Sequence, residues 1–186
     1  MNRAALKPLL LSLAVWGCVA SSLASGAVPE YDVKAALIYK IGKFVHWPDG
    51  AFGKTGGDAL HLCLLGHDDF GASIDALQGL RIEGHGIVIE RRHDASAAAS
   101  CQILFISRSE RAHLGEILAA VGTAPALTVS DIEGFALEGG MVNLVVTAGK
   151  VGFQINPTAA SHAGLEIGAQ LLQLATLVGD RKDGKP

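Results

Sequence analysis

Leu60-His61-Leu62-Cys63-Leu64-Leu65 is a short apolar run closed by Gly66. It predicts a strand buried on both faces, the kind found in parallel sheets covered on each side by helices. Comparable runs recur downstream. Ile87-Val88-Ile89 predicts a second strand, ending in Glu90-Arg91-Arg92, and Gln102–Ile106 (QILFI) a third, entered directly from Cys101. Ala126–Val129 predicts a fourth. Helical signals alternate with them. Asp69–Leu77 fits a short helix. Ser107-Arg108-Ser109-Glu110 has the spacing of a capping box and predicts a helix running on through Leu114, Ile117, Leu118 and Val121. Ser130-x-x-Glu133 offers a second box for a short helical turn. Upstream, Val33, Leu37, Ile41 and Phe44 make a helical stripe over Tyr31–Phe44, ended by Trp47-Pro48. Asp49–Asp58 is glycine-rich and reads as a loop.

The rhythm changes after Gly139-Gly140. Met141–Val146 and Lys150–Ile155 are separated by Ala148-Gly149, and in the second run Val151, Phe153 and Ile155 alternate with Gly152 and Gln154. That predicts an antiparallel hairpin. Asn156-Pro157 is a helix start, with Asn as N-cap and Pro in the first helical position. Ala160, Ala163, Ile167, Leu171, Leu174 and Val178 then predict one last helix, ended by Gly179 and a polar tail. The expected fold is α/β, a three-layer sandwich with a largely parallel sheet and an antiparallel edge hairpin. Residues 28–186 are expected to form one domain, without internal repeat or linker.

The first residues have the layout of a secretory signal peptide. Arg3 and Lys7 are basic, Leu9–Val15 is apolar, and Ser25-Gly26-Ala27 suits cleavage before Val28, so residues 1–27 are read as the leader. A retained anchor is the alternative, although the apolar run falls short of the roughly 20 residues a membrane span needs. Lipidation at Cys18 is another, with bulky Trp16 as a poor neighbour. The mature chain is expected to be soluble outside the cytoplasm. Two of the 15 basic residues leave with the leader, so 13 face 18 acidic ones, a formal charge of −5. That disfavours nucleic acid and anionic membrane surfaces as partners. Cys63 and Cys101 are then the remaining thiols, and a single pair in an oxidising compartment predicts one disulfide. It requires α-carbons within about 7 Å. Its buried setting favours a structural staple over a redox switch.

Catalytic patterns are sparse. There is no GxSxG, HExxH, CxxC or phosphate loop, and the seven histidines stand singly, none three or four residues from another. No metal and no cofactor is expected. Gly66-His67-Asp68-Asp69 follows a strand at the end where α/β sheets bind ligands. His67 beside Asp68 and Asp69 could serve acid–base chemistry or contact a ligand; a carboxylate capping the next helix is the favoured reading. Arg91 and Arg92, next to His93, could meet an acidic partner or form a solvated strand end. Trp47 could anchor an interface or plug the core.

Several stretches together carry a resemblance. Val33-Lys34-Ala35-Ala36-Leu37-Ile38-Tyr39-Lys40-Ile41-Gly42-Lys43-Phe44-Val45-His46-Trp47-Pro48 resembles the opening signature of the YfiR family of exported proteins. Leu62–Gly66, Cys101–Ser107, Leu127–Asp131, Phe135-Ala136-x-x-Gly139-Gly140-Met141, Val151–Asn156 and Leu171–Ala175 resemble its later segments in order. The resemblance implies regulation rather than catalysis. It implies a periplasmic repressor that engages the periplasmic sensor region of an inner-membrane diguanylate cyclase, lowers cyclic di-GMP and biofilm formation, and can form a homodimer. The family's paired cysteines map onto Cys63 and Cys101. A second pair, present in its best-known member, has no counterpart between Gly139 and Asn156. The alternative expectation is a small-molecule-binding accessory protein of another membrane sensor, such as a histidine kinase, using the sheet end near Gly66–Asp69 and Ser107–Arg111. An enzyme ranks third, for want of a catalytic constellation.

Overall fold

The computed structural model describes residues 28–52, 59–94 and 100–179; the expected leader and the tail after Gly179 lie outside them. In chain order the elements are α1 (Glu30–Gly42), β1 (Val45–His46), β2 (Ala59–Leu65), α2 (Ala72–Asp75), β3 (Arg81–Ile82), β4 (His85–Arg92) and β5 (Ile103–Ile106). A 3-10 helix over Arg108–His113 leads into α3 (Leu114–Val121), followed by β6 (Leu127–Ser130) and a 3-10 turn, Phe135–Glu138. β7 (Val142–Thr147), β8 (Lys150–Ile155), α4 (Pro157–His162), β9 (Glu166–Ile167), α5 (Ala169–Leu174) and β10 (Thr176–Leu177) complete the described chain.

Eight strands form one sheet in the order β10-β8-β7-β6-β5-β2-β4-β3. Pairing is parallel from β7 through β6, β5 and β2 to β4, and antiparallel for β7–β8 and β3–β4. The α/β class and mostly parallel sheet are as the apolar runs predict. The hairpin is not the outermost element, because β10 adds beside β8 in parallel.

Alternation along the central strands explains why they carry almost no polar residues. Leu60, Leu62 and Leu64 of β2 join Ile103 and Phe105 of β5 in a core under α1 and α2. Cys63, Leu65, Leu104 and Ile106 point the other way, against Leu114, Ile117 and Val121 of α3 and the Phe135 ring. Both faces are covered, so both sets must be apolar. On the α3 side Cys63 and Cys101 are disulfide-bonded, with α-carbons 6.0 Å apart, stapling β2 to the chain entering β5.

Three local expectations are corrected. First, α1 buries Lys34, Ala35, Ile38, Ile41 and Gly42, whereas Val33 and Leu37 are half-buried and Phe44 lies beyond the helix, exposed. Small residues let the helix lie close to the sheet: a side chain at Gly42 would run into Ile82 and Ile103. Second, neither capping box forms as spaced. Ser107 Oγ accepts from the Ser109 amide, but Glu110 instead accepts from the Ser109 hydroxyl at 2.9 Å, and the first turns are 3-10. Ser130 Oγ donates to Ile106 O and accepts from the Ile132 amide, so the next turn starts only at Phe135.

Third, the last helix is broken. Asn156 does cap α4, its Oδ1 accepting from the Ala159 amide at 3.0 Å. The helix then stops at His162, because Gly164 turns left-handed (φ +71°) and Leu165 N donates back to Ala160 O. β9 pairs antiparallel with β1 instead, and Gly168 N donates to Phe44 O at 2.7 Å. A run of apolar residues at helical spacing is thus divided among α4, β9, α5 and β10.

Candidate functional site at the carboxyl ends of the strands

Because β2, β4, β5 and β6 run parallel, the segments leaving them converge at one end of the sheet. Gly66–Asp69 leaves β2, Arg91 and Arg92 end β4, Ser107-Arg108 leaves β5 and Asp131 leaves β6.

The centre of this end is an ion-pair network. Lys34, on α1, is wholly buried, and its Nζ donates to Asp131 Oδ2 at 2.5 Å. Lys34 also reaches Glu30 one turn back. Arg108 Nε lies 3.2 Å from the same Asp131 oxygen, and Tyr31 Oη donates to it at 3.2 Å. Lys34 Nζ sits 4.3 Å above the Tyr31 ring centroid. Burial first, and the Asp131 charge second, push the Tyr31 hydroxyl well above its ordinary value. The Tyr31 ring meets Phe70 edge-on at 5.0 Å and Phe70 meets Phe105 at 4.7 Å, so the network is anchored to the core.

A second cluster surrounds Asp68. Its Oδ1 accepts from the amides of Phe70 and Gly71, just ahead of α2, and Arg91 bridges Asp68 (2.8 Å) and Asp75 (2.9 Å). Burial raises the Asp68 carboxyl, but the Arg91 bond and the two amides outweigh it and hold it below its ordinary value. Glu90 is likewise lowered, burial being outweighed by bonds from His61 and Arg92.

The residues singled out from the sequence thus separate. Asp68 and Arg91 are joined, but Asp68 closes only the turn at Phe70 and Gly71: α2 starts from Gly71 with no side-chain cap, which corrects the expected helix cap. Arg92 pairs with Glu90. His67 is exposed, its side chain 3.6 Å from Asp69 and its backbone amide donating to the Ser109 hydroxyl at 3.0 Å. Trp47 is elsewhere: it is buried near the amino end of β5, where its Nε1 donates to Gln102 O at 3.2 Å. Lys34, Tyr31 and Asp131 are not singled out from the sequence, whereas Arg108 falls within Ser107–Arg111, a stretch expected at the sheet end that could take a ligand. The one signal for them was Asp131 following a strand, at a position where such sheets place functional groups.

Beyond Asp131 lies a cavity of about 1040 Å³, walled by Arg108, Arg111, Ile132, Leu137 and the second half of β7. Arg111 closes one side by pairing with Glu138 at 2.8 Å. Asn143, buried at its base, donates from Nδ2 to Ser130 O and Ile132 O, while its Oδ1 has no hydrogen-bond partner among the described residues. No group of three or more potential metal ligands converges among the described residues, and no described helix is long and apolar enough to cross a membrane.

Fold and site together define an α/β protein whose charged groups at the carboxyl end of the parallel strands are engaged with one another beside an open, partly apolar cavity. The chain belongs to the YfiR/HmsC-like family, whose model matches residues 31–176. That family is one of periplasmic regulators rather than catalysts. No curated protein matches the sequence. Among solved structures, the chain is similar to a conserved domain protein from Vibrio cholerae O1 biovar El Tor, at 14% identity and a TM-score of 0.52, over 80% of this chain. It spans 60% of that structure's length, a likeness of fold.

Proposed function

We propose that this chain is a non-enzymatic periplasmic regulator that binds and represses a membrane-bound signalling protein, an inner-membrane diguanylate cyclase first among candidates, thereby lowering cyclic di-GMP and biofilm formation. The observation that carries this reading is the family match across residues 31–176. The buried Cys63–Cys101 bond suits an oxidising compartment, and the basic-then-apolar start of the chain suits export with cleavage before Val28. Repression needs no chemistry. A regulator that binds the inactive state of a sensor region more tightly shifts its equilibrium, and about 5.5 kcal/mol of differential affinity moves a population from 1:99 to 99:1. The test is recovery of membrane proteins with tagged mature protein, together with cyclic di-GMP levels in a deletion strain. A recovered cyclase and raised cyclic di-GMP are expected; unchanged levels with no cyclase recovered overturn the reading.

The cavity beside Asp131 favours a second reading, a small-molecule-binding accessory protein of another membrane sensor such as a histidine kinase. Recovery of a kinase instead of a cyclase, with a periplasmic metabolite co-purifying, would favour it.

A further inference from the structure

β7 is longer than the strand beside it. Its register with β6 ends at Ser130 opposite Asn143, yet β7 continues to Thr147, paired there with β8. Among the described residues no strand flanks Leu144–Thr147 on the β6 side. The hairpin decides which backbone groups face that gap. Asn156 N donates to Met141 O at 2.8 Å, so Met141, Asn143, Val145 and Thr147 direct their amides and carbonyls toward β8. Leu144 and Val146 direct theirs the other way; the Ser130–Asn143 register closes the Leu144 amide on Ser130 O, leaving Val146 to face the cavity. The Leu144 carbonyl accepts from Asn143 Nδ2 at 3.4 Å; the amide and carbonyl of Val146 open onto the cavity.

Three further features bear on what fits there. The overhanging residues are Leu144, Val145, Val146 and Thr147, three of them β-branched, with none of the charges or prolines that normally blunt a free edge. Asn143, 1% exposed, lies at the base of the same cavity, its Oδ1 buried and without a hydrogen-bond partner among the described residues. Arg108 meets Asp131 through Nε and leaves over half its side chain exposed at the rim. An unpaired edge lacks an extended backbone with amides and carbonyls of its own.

We propose that the overhang of β7 is a docking site for an extended peptide segment of a protein partner, which adds as a strand beside Leu144–Thr147 and places an acidic side chain against Arg108. Four residues of edge span about 13 Å at the usual strand rise, room for a short linear segment. Backbone bonds to Val146 supply register and a rim charge supplies selection. This rests on the proposed role as a regulator of another protein and names the contact through which that role would be exercised.

The experiment pans a library of random nine-residue displayed peptides against disulfide-intact mature protein. Enriched peptides are expected to carry an acidic residue, to slow hydrogen exchange at the Val146 amide by at least tenfold, and to bind at least tenfold more weakly to Val146→Pro and Arg108→Glu. Val146→Pro removes an amide that faces away from β8; should it fail to fold, the exchange measurement on the wild-type complex decides alone. No enriched peptide, or enriched peptides that leave Val146 exchange unchanged, overturns the proposal, as does a cavity-filling small molecule that blocks panning without protecting that amide. The outcome is independent of partner identity, so failure to recover a cyclase would leave this proposal standing, and failure here would leave the regulatory reading standing.

Discussion

Lys34 and Asp131, 97 residues apart in the chain, meet at 2.5 Å with both side chains essentially inaccessible to solvent. The two sides of this pair are not equivalent. Asp131 keeps Arg108 and Tyr31 when Lys34 is lost, whereas Lys34 keeps only Glu30 and the Tyr31 ring when Asp131 is lost. Breaking a buried pair from one side costs about 3–5 kcal/mol. Asp131→Asn is therefore expected to reach that range in urea unfolding of the mature protein, and Lys34→Met to cost less. The reverse order would show that Arg108 does not compensate Asp131.

Stability should fall at both ends of the pH scale, for different groups. Asp68 and Glu90 are held below their ordinary values, so their contribution is full above about pH 4.5 and is lost as pH falls through their lowered folded values. Arg91→Gln removes a main cause of the Asp68 shift and should make the acid limb shallower. Tyr31 is raised, so its contribution is full below about pH 10 and declines as pH climbs beyond it. Tyr31→Phe should flatten the alkaline limb. Unfolding free energy measured against pH checks both.

The disulfide closes a sequence separation of 38 residues. The chain-entropy relation assigns such a loop about 4 kcal/mol. Cys63→Ala/Cys101→Ala should lose approximately that in denaturant midpoint analysis while retaining the far-ultraviolet signature of the sheet. Both sulfurs are buried, so the native bond should resist reduction until the protein unfolds. Rapid reduction under native conditions would argue for a switch.

Two backbone positions predict opposite signs. Gly140 lies against the fully buried Phe135 ring, which a β-carbon at 140 would overlap. Gly140→Ala should destabilise by about 1–3 kcal/mol, the usual cost of overpacking. Ala148, in the two-residue turn between β7 and β8, adopts φ +49° without being glycine. Ala148→Gly or Ala148→Asn relieves that conformation and should raise the melting temperature by a few degrees. A fall for Ala148→Gly would mean the turn is not strained.

How much was legible follows from how far apart the deciding residues lie. The central strands were readable because a parallel strand covered on both faces must be apolar at every position, as Leu62–Leu65 and Ile103–Ile106 are. The Asn156-Pro157 helix start and the Ala148-Gly149 turn were readable because their hydrogen bonds close within a few residues. In the site, Asp68 stands out because its carboxylate closes on its own turn, and Arg91 because it belongs to the basic end of its own strand.

Those features the sequence determined by itself, since each depends on neighbours along the chain. Only the tertiary structure decided which face of α1 is buried, where the last helix breaks, and where the cavity opens. Lys34 reads as a solvated lysine until Asp131 arrives from the far side of the chain to offset its desolvation. Ile167 reads as the next helical step until β1 offers its edge and the turn at Gly164 frees the backbone to take it. The overhang of β7 exists because β6 stops four residues short of it, a difference in strand lengths that no local pattern carries.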